Sequence, residues 1–510
     1  MEPKTMTRTL AVPETVFDDV TECPVDCSFT LPDYLPEIAA VLKCLIKPVI
    51  QSHQISGDRV VADGTVYLQL LYLDEERRCV RNFEYSQPFS AAFTVKDLKS
   101  SDDITLTGKA GYVNCRATGP RGADVHGAFA VRLKAVTLMP TEVITAAEEN
   151  SLFSKGEELC HTIQDKYAQK QFTINEVLET GTIFPAEQLL RNEAAVLITE
   201  CKQLPEKAIV KGDILLKTYY VADTQTGTMG CSKNRIPFSQ IIDVEGLSEQ
   251  TLCECHAELL LCDVHVTQNG NGDNSLLSVT LKVNLVLRTY VEERCAVITD
   301  AFHTQYPLKL QTKRIIPTRI VSLQQENQLI KQLVELPDGD IAEIVDVWCD
   351  IVPTETHCEN QTARADGRLT VCMVTRDGNG ILSYYERMAD FSCDFSESCE
   401  QMAVWFTLID CDYTRNGKQL ELQLQVSILR KCMVSNSILA VTALSVDETA
   451  PYKREAGMEH CSLKAYFASP GECVWEIAKA EHASPWQLQE ENEISEDVLK
   501  ESTMLLIPFS

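Results

Sequence analysis

Nowhere does the sequence run 18 apolar residues together, which excludes a membrane-crossing helix. Positions 1–20 carry acids and prolines and no apolar stretch of the kind a secretory leader needs, so a cytoplasmic setting is expected. Basic residues are scarce: 46 Lys and Arg stand against 74 Asp and Glu, a net charge of −28. Such a chain repels phosphate backbones, so neither nucleic acid nor an anionic membrane is expected as a main partner. There is no Gly-x-Ser-x-Gly elbow and no phosphate-cradling glycine loop. No catalytic set stands out, and the expectation is a protein that is not an enzyme and has no cofactor.

Cysteine is abundant. The 510 residues hold 21, an odd number at irregular spacings, which reads as reduced thiols buried like small hydrophobes. The best metal candidate is Cys253-Glu254-Cys255-His256 with Cys262 and His265. Zinc wants four thiolate or imidazole ligands converging from several directions. This stretch reads as one β-strand, which puts Cys253 and Cys255 on one face and His256 on the other. One strand cannot wrap a metal, so no metal site is expected. Asn269-Gly270-Asn271-Gly272-Asp273 and Asp377-Gly378-Asn379-Gly380 resemble calcium loops only superficially. Both lack the twelfth-position Glu and read as hairpin turns, where Asn and Gly supply positive φ.

At 45% hydrophobic residues the chain can build ordinary cores, and its length suits three or four domains. One unit is written three times. Each copy has a Gly-led apolar strand: Gly64 to Tyr72, Gly212 to Tyr220 and Gly367 to Val374. A Phe-Ser pair follows, with Pro88-Phe89-Ser90, Pro237-Phe238-Ser239 and Asp390-Phe391-Ser392. The Gly-to-Phe offsets are 25 (64 to 89), 26 (212 to 238) and 24 (367 to 391). Alternating strands and hairpin turns dominate, so a mainly β fold of three repeated, sandwich-like units is expected. Short helices are expected ahead of each Gly strand, from Ile38, Val41, Leu42 and Leu45, from Pro185 to Leu190, and behind Leu336-Pro337-Asp338. Polar, partly helical linkers are expected over 146–170 and 322–335. The domain limits read as 1–145, 165–318 and a divergent 330–446, then a tether over 447–460 that leaves residues 461–510 some independent motion.

The Gly-strand-Tyr segment followed by Pro-Phe-Ser resembles the SPOCS domain of spore-forming bacteria, most closely in the first two units.

Residues 461–510 read as a small βααβ module. Leu463 to Phe467 is a strand, and Val474, Ile477 and Ala478 mark one face of a short helix. Ser484-Pro485-Trp486-Gln487 opens a second helix with a Ser cap and Pro at its first position. Met504 to Ile507 returns as a strand stopped by Pro508. Tyr466, Pro470-Gly471-Glu472, Trp475 to Ala478, Ser484-Pro485, Leu488, Asn492 and Leu506-Ile507-Pro508 resemble a LysM domain. LysM domains usually carry Gly-Asp-Thr where this chain has Gly471-Glu472-Cys473, and Gly-Gln where it has Ser502-Thr503. Both departures lie near the loops that hold N-acetylglucosamine polymers in LysM proteins.

Three SPOCS-like units followed by a LysM-like module resemble the SipL-type spore coat morphogenetic proteins. That resemblance implies a mother-cell cytoplasmic protein that collects on the forespore surface. Its terminal module would hold a protein partner, the ATPase of the coat basement layer, and other coat proteins are further candidates. The rival function is peptidoglycan binding through the LysM-like module, and a third is an enzyme with an unfamiliar site. Trp475, Trp486 and Ile494 are the candidate partner-binding residues, since tryptophan is enriched at interface hot spots. For Trp475 core packing is an equal alternative. The glutamates from Glu490 to Glu496 read as a solvated face that would also suit a basic partner.

Overall fold

The structure is a computed structural model that describes residues 3–96, 98, 103–181, 185–248, 251–359, 362–453 and 462–508. The first repeat opens with β1 (Lys4–Thr30). It continues with β2 (Ala40–Ser56), β3 (Arg59–Leu73) and β4 (Val80–Thr94), and closes with β5 (Asp103–Ala117) and β6 (Gly122–Glu148). The second runs β7 (Leu152–Glu179), β8 (Gln188–Leu204), β9 (Lys207–Asp223), β10 (Thr228–Asp243), β11 (Leu252–Thr267) and β12 (Leu276–His303). The third runs β13 (Leu308–Ile315), β14 (Thr318–Glu335), β15 (Glu343–Glu359), β16 (Thr362–Arg376), β17 (Leu382–Phe395), β18 (Gln401–Asn416), β19 (Gln419–Ser435) and β20 (Ile438–Val446). In each repeat a meander, β2-β3-β4 or its equivalent, faces a second antiparallel sheet of order β1-β6-β5. One apolar core fills the gap, with Val66, Leu68, Phe129 and Val131 buried in the first copy. The fold is therefore mainly β, as the alternation implies.

The recurrent Gly and Phe are cross-strand partners: Gly64 opposite Phe89, Gly212 opposite Phe238, Gly367 opposite Phe391. A Cβ at Gly64 would stand 2.7 Å from the Phe89 ring, and at Gly212 2.6 Å from Phe238. The ring lies over the bare backbone, which is why the two residues recur at nearly the same offset.

The expected helices ahead of the Gly strands are strands: β2, β8 and β15 occupy those positions. A β-bulge explains the misreading. Leu42, Leu190 and Val345 are each the extra residue of a bulge, followed nine residues later by a second at Gln51, Thr199 and Thr354. A bulge shifts the alternation by one, so buried positions on its two sides fall at helix-like spacings. The supposed linkers over 146–170 and 322–335 are likewise largely strand, within β7 and β14.

Bulges also mark where the chain leaves each sandwich for a ribbon. Val16, Asp165 and Val321 are the extra residues of bulges in β1, β7 and β14. Each lies 14 residues before its strand's end (16 to 30, 165 to 179, 321 to 335). Beyond the bend, β1 with β6, β7 with β12, and β13 with β20 run on as three two-stranded ribbons. In the third repeat the long strands are broken, near Pro317, whose missing N–H cannot join a ladder.

The three ribbons meet in shared cores. Val143, Val297 and Ala440 are fully buried in one cluster, and their neighbours Ile144, Ile298 and Val441 in another. Successive strand residues face opposite ways, so each ribbon is buried on both faces. The next residue is a bulged threonine in every copy. Thr145 donates to the Met6 carbonyl at 3.2 Å, Thr299 to Lys155 at 3.3 Å and Thr442 to Gln311 at 3.2 Å.

At the other end of the body, Leu73, Leu190, Val221, Trp348 and Val374 draw all three repeats into a further common core. Beside it Arg191, 4% exposed, lies 4.2 Å from the Tyr219 ring and 4.3 Å from Trp348, and bonds Asp346 at 2.8 Å. Arg288 pairs with Asp103 between the first two repeats, and Lys43 with Glu386 between the third and the first. The three repeats thus close on one another as a single packed body.

The terminal module follows as β21 (Leu463–Ala468), α1 (Val474–Ala480), α2 (Pro485–Glu491) and β22 (Thr503–Pro508), with β21 and β22 antiparallel. Ser484 caps α2, accepting from the Gln487 N–H at 3.4 Å. Cys473 at the start of α1 makes no side-chain cap; its thiol turns to Asp497 at 3.3 Å. Asn492 ties α2 to β22, donating to the Leu488 and Leu506 carbonyls and accepting from the Leu506 N–H at 2.6 Å. Most of the expected tether, 454–460, lies outside the described residues, as does Cys461.

Candidate interaction site

The terminal module does not stand clear of the body. Its α1 face lies on the ribbon tip formed by β7 and β12, and one cluster joins Phe302 to Val474, Trp475, Ile477, Leu488 and Leu505. Trp475 meets Phe302 edge-on, with ring centroids 5.0 Å apart. Its indole N–H donates to Asp300 at 2.9 Å, and Lys479 reaches the same carboxylate at 2.7 and 2.8 Å. Lys155 bridges to Asp497 at 3.2 Å. Burial raises the Asp497 carboxyl, but hydrogen bonds from Cys473 and Lys155 outweigh it and hold the group below its usual range. Tyr452, just after the third repeat, stacks on His482 of the module at 3.5 Å between centroids.

The docking residues are where the second repeat departs from its siblings. After the bulged threonine stand Ala146 in the first repeat, Asp300 in the second and Ala443 in the third. Two residues further on stand Glu148, Phe302 and Ser445. Only the second ribbon offers both a carboxylate for Trp475 and Lys479 and a ring for Trp475. That is a local reason why the module lies on it.

Of the three expected anchors, Trp475 is buried, 8% exposed, in this contact. Ile494 is half-buried against the module's own core. Trp486 alone is open, at 56%. The more prominent exposed groups were missed: Phe467 at 78% and its cross-strand partner Met504 at 54%, with Leu463 beside them on the outer face of β21 and β22. Their signal was present, because Leu463, Ala465 and Phe467 alternate with Tyr466 and leave the strand apolar on both faces. Glu490, Glu491, Glu493 and Glu496 are exposed nearby in sequence and make an acidic margin.

The cysteine and histidine stretch of β11 divides as strand geometry requires. Cys253 and Cys255 turn toward Cys201, with 3.4 Å between the Cys201 and Cys253 sulfurs. His256 points to the opposite face, 2.6 Å from Glu254 and stacked edge-on against Trp405. His265 is exposed beside Asp263. Among the described residues no group of three or more His, Cys, Asp or Glu side chains is placed to hold a metal. Glu254 is 2% exposed, and it accepts from Tyr290 at 2.8 Å and from Lys431 of the third repeat at 2.7 Å. Burial raises its pKa, but His256 and Lys431 outweigh that and keep it ionised, a clamp between repeats. In both Asn-Gly turns the side-chain oxygens of Asn269 and Asp377 accept backbone N–H groups, as hairpin turns do.

Fold and site together define a repeat-built β scaffold that carries a small docked module with an exposed apolar face. Residues 37–118 and 185–267 match the family model described as SipL, SPOCS domain. These segments hold β2 to β5 and β8 to β11, and β15 to β18 repeats the same arrangement and the same bulges outside the matched residues. The first two repeats thus each carry a segment similar to the SipL-type SPOCS domain, which points to a sporulation-related coat protein. No curated protein matches it. Among the described residues no helix is long and apolar enough to cross a membrane.

Proposed function

We propose that this chain is a non-enzymatic assembly protein of the spore coat, whose LysM-like module binds a protein partner, the ATPase of the coat basement layer, at the forespore surface. It works in the mother-cell cytoplasm, and the three repeats form the body that presents the module. The observation that carries this reading is the exposed apolar face of β21 and β22. Phe467 at 78% exposure and Met504 at 54% lie side by side there, and Trp486 is a further open ring on α2. Large exposed rings on a small module are what a protein interface buries. A sugar polymer would instead be sought by the loops around Glu472 and Ser502, where the residues depart from the LysM pattern.

The test is co-purification from sporulating cells with the full chain, the chain ending at residue 453, and Phe467→Ser. Capture of the ATPase by the full chain and its loss in both variants is the expected result. Strong sedimentation of the full chain with peptidoglycan, unaffected by Phe467→Ser, would favour the glycan reading instead.

A further inference from the structure

Three pairs of thiols face each other across the two sheets of a repeat. Cys201 of β8 lies 3.4 Å from Cys253 of β11, and Cys349 of β15 lies 3.4 Å from Cys411 of β18. Cys358 of β15 lies 3.4 Å from Cys399, just ahead of β18. Cys44 of β2 and Cys115 of β5 hydrogen-bond in the corresponding place in the first repeat. The pairings obey one rule. The first strand of the meander runs beside the edge strand of the facing sheet, and cysteines meet along that seam. The backbone does not join these strands, because each belongs to a different sheet.

We infer that Cys201–Cys253, Cys349–Cys411 and Cys358–Cys399 are sites of intramolecular disulfide formation, covalent staples that close the open seam of the second and third sandwiches under oxidising conditions. A disulfide needs about 2.05 Å between sulfurs, so each pair must close by a little over 1 Å, roughly what small side-chain rotations supply. Cys201 and Cys253 also line a cleft of about 120 Å³ between the second and third repeats, beside Thr199, Glu200, Leu323 and Leu429, which opens the pair to solvent. Cys201 stands between Cys253 and Cys255, both of which hydrogen-bond to it, so its sulfur is the one that both neighbours face and it makes the first attack.

The co-reactant is a low-molecular-weight disulfide of the glutathione class. The Cys201 thiolate attacks one of its sulfurs, an S–S bond breaks, and one small thiolate leaves and takes up a proton. The Cys253 sulfur, losing its proton, then attacks Cys201 in the mixed disulfide and expels the second small thiol. Two protein thiols are oxidised, one small disulfide is reduced to two thiols, and no other reagent is consumed. The closed loops span sequence separations of 52, 62 and 41 residues, long enough for a cross-link to restrict the unfolded chain substantially.

The test uses the full chain, fully reduced, then equilibrated with oxidised and reduced glutathione at several ratios and quenched by alkylation. Peptide mapping without reductant should find the three stated pairs linked within monomers, each with the loss of two hydrogens. The thermal midpoint should rise by several degrees and fall back on reduction. Cys201→Ser should abolish the Cys201–Cys253 peptide and part of that rise, while Cys262→Ser, outside the pairs, should leave both unchanged. Thiols that stay alkylatable throughout, or links between chains or between cysteines other than these pairs and Cys44–Cys115, would overturn the inference. If Cys201→Ser does not fold, the map of the unmodified sequence decides alone.

Discussion

The three-repeat body and the terminal module solve the same problem at different scales. Each repeat has a sandwich core of its own, such as the buried run from Leu277 to Leu287 in the second. It then shares two more cores with its siblings, at the ribbons and around Trp348. The module has a handful of buried side chains and completes its cluster with Phe302 from the body. A domain of some fifty residues buries too little surface to be comfortable alone. The difference teaches that the module's stability and its placement are one contact, since Trp475 serves both.

Arg191→Ala should give the largest effect, and it strikes the body. It strips Asp346 of its partner in a buried setting and empties the space between Tyr219 and Trp348. A loss of about 3–5 kcal/mol is expected, read from denaturant unfolding of the full chain. If only one repeat loosened, the shared core would not couple the three.

Asp300→Ala installs the residue that the other two ribbons carry. Trp475 and Lys479 lose their common acceptor, which should cost the docked module about 1–3 kcal/mol. Hydrogen exchange should quicken over 462–508 while the repeats keep their protection. Equal quickening in all regions would remove the distinction between body and module.

Acid should weaken both regions through histidine. Burial pushes His161, His303 and His482 below the ordinary value of 6.5. The neutral rings are then the ones the fold prefers, and near pH 6 the unfolded chain binds more protons than the native one. Stability should be fully present above about pH 6.5 and fall as the pH drops through the lowered values. A thermal midpoint unchanged between pH 7 and pH 5 would contradict this. His482→Gln should blunt the acid sensitivity of the module alone.

Ser484→Ala is the smallest change, removing the cap of α2 for about 1 kcal/mol. It should be visible in exchange at the start of that helix and nowhere in the body.

Much of the fold was legible because strand pairing writes itself into spacing. The Gly-to-Phe offsets near 25 are cross-strand register, and the Ser-Pro start of α2 is local capping chemistry. What misled was the bulge. At Leu42, Leu190 and Val345 one inserted residue turned a strand's alternation into the spacing of a helix, and nothing local distinguishes the two. The site was less legible. Trp475 could pack or protrude, and only the position of Asp300 and Phe302, more than 170 residues upstream, decides that it packs. Phe467 was overlooked because a strand with apolar residues on both faces does not announce which face is covered.

By itself the sequence determined the β-rich composition of the body, the threefold recurrence of its unit and the order of elements in the terminal module. Each follows from local preferences of neighbouring residues. Only the tertiary structure decided that the ribbons converge, that the repeats share cores, which thiols meet and where the module lies. Those are contacts between distant stretches, set by which buried surfaces fit one another, and spacing along the chain carries no record of them.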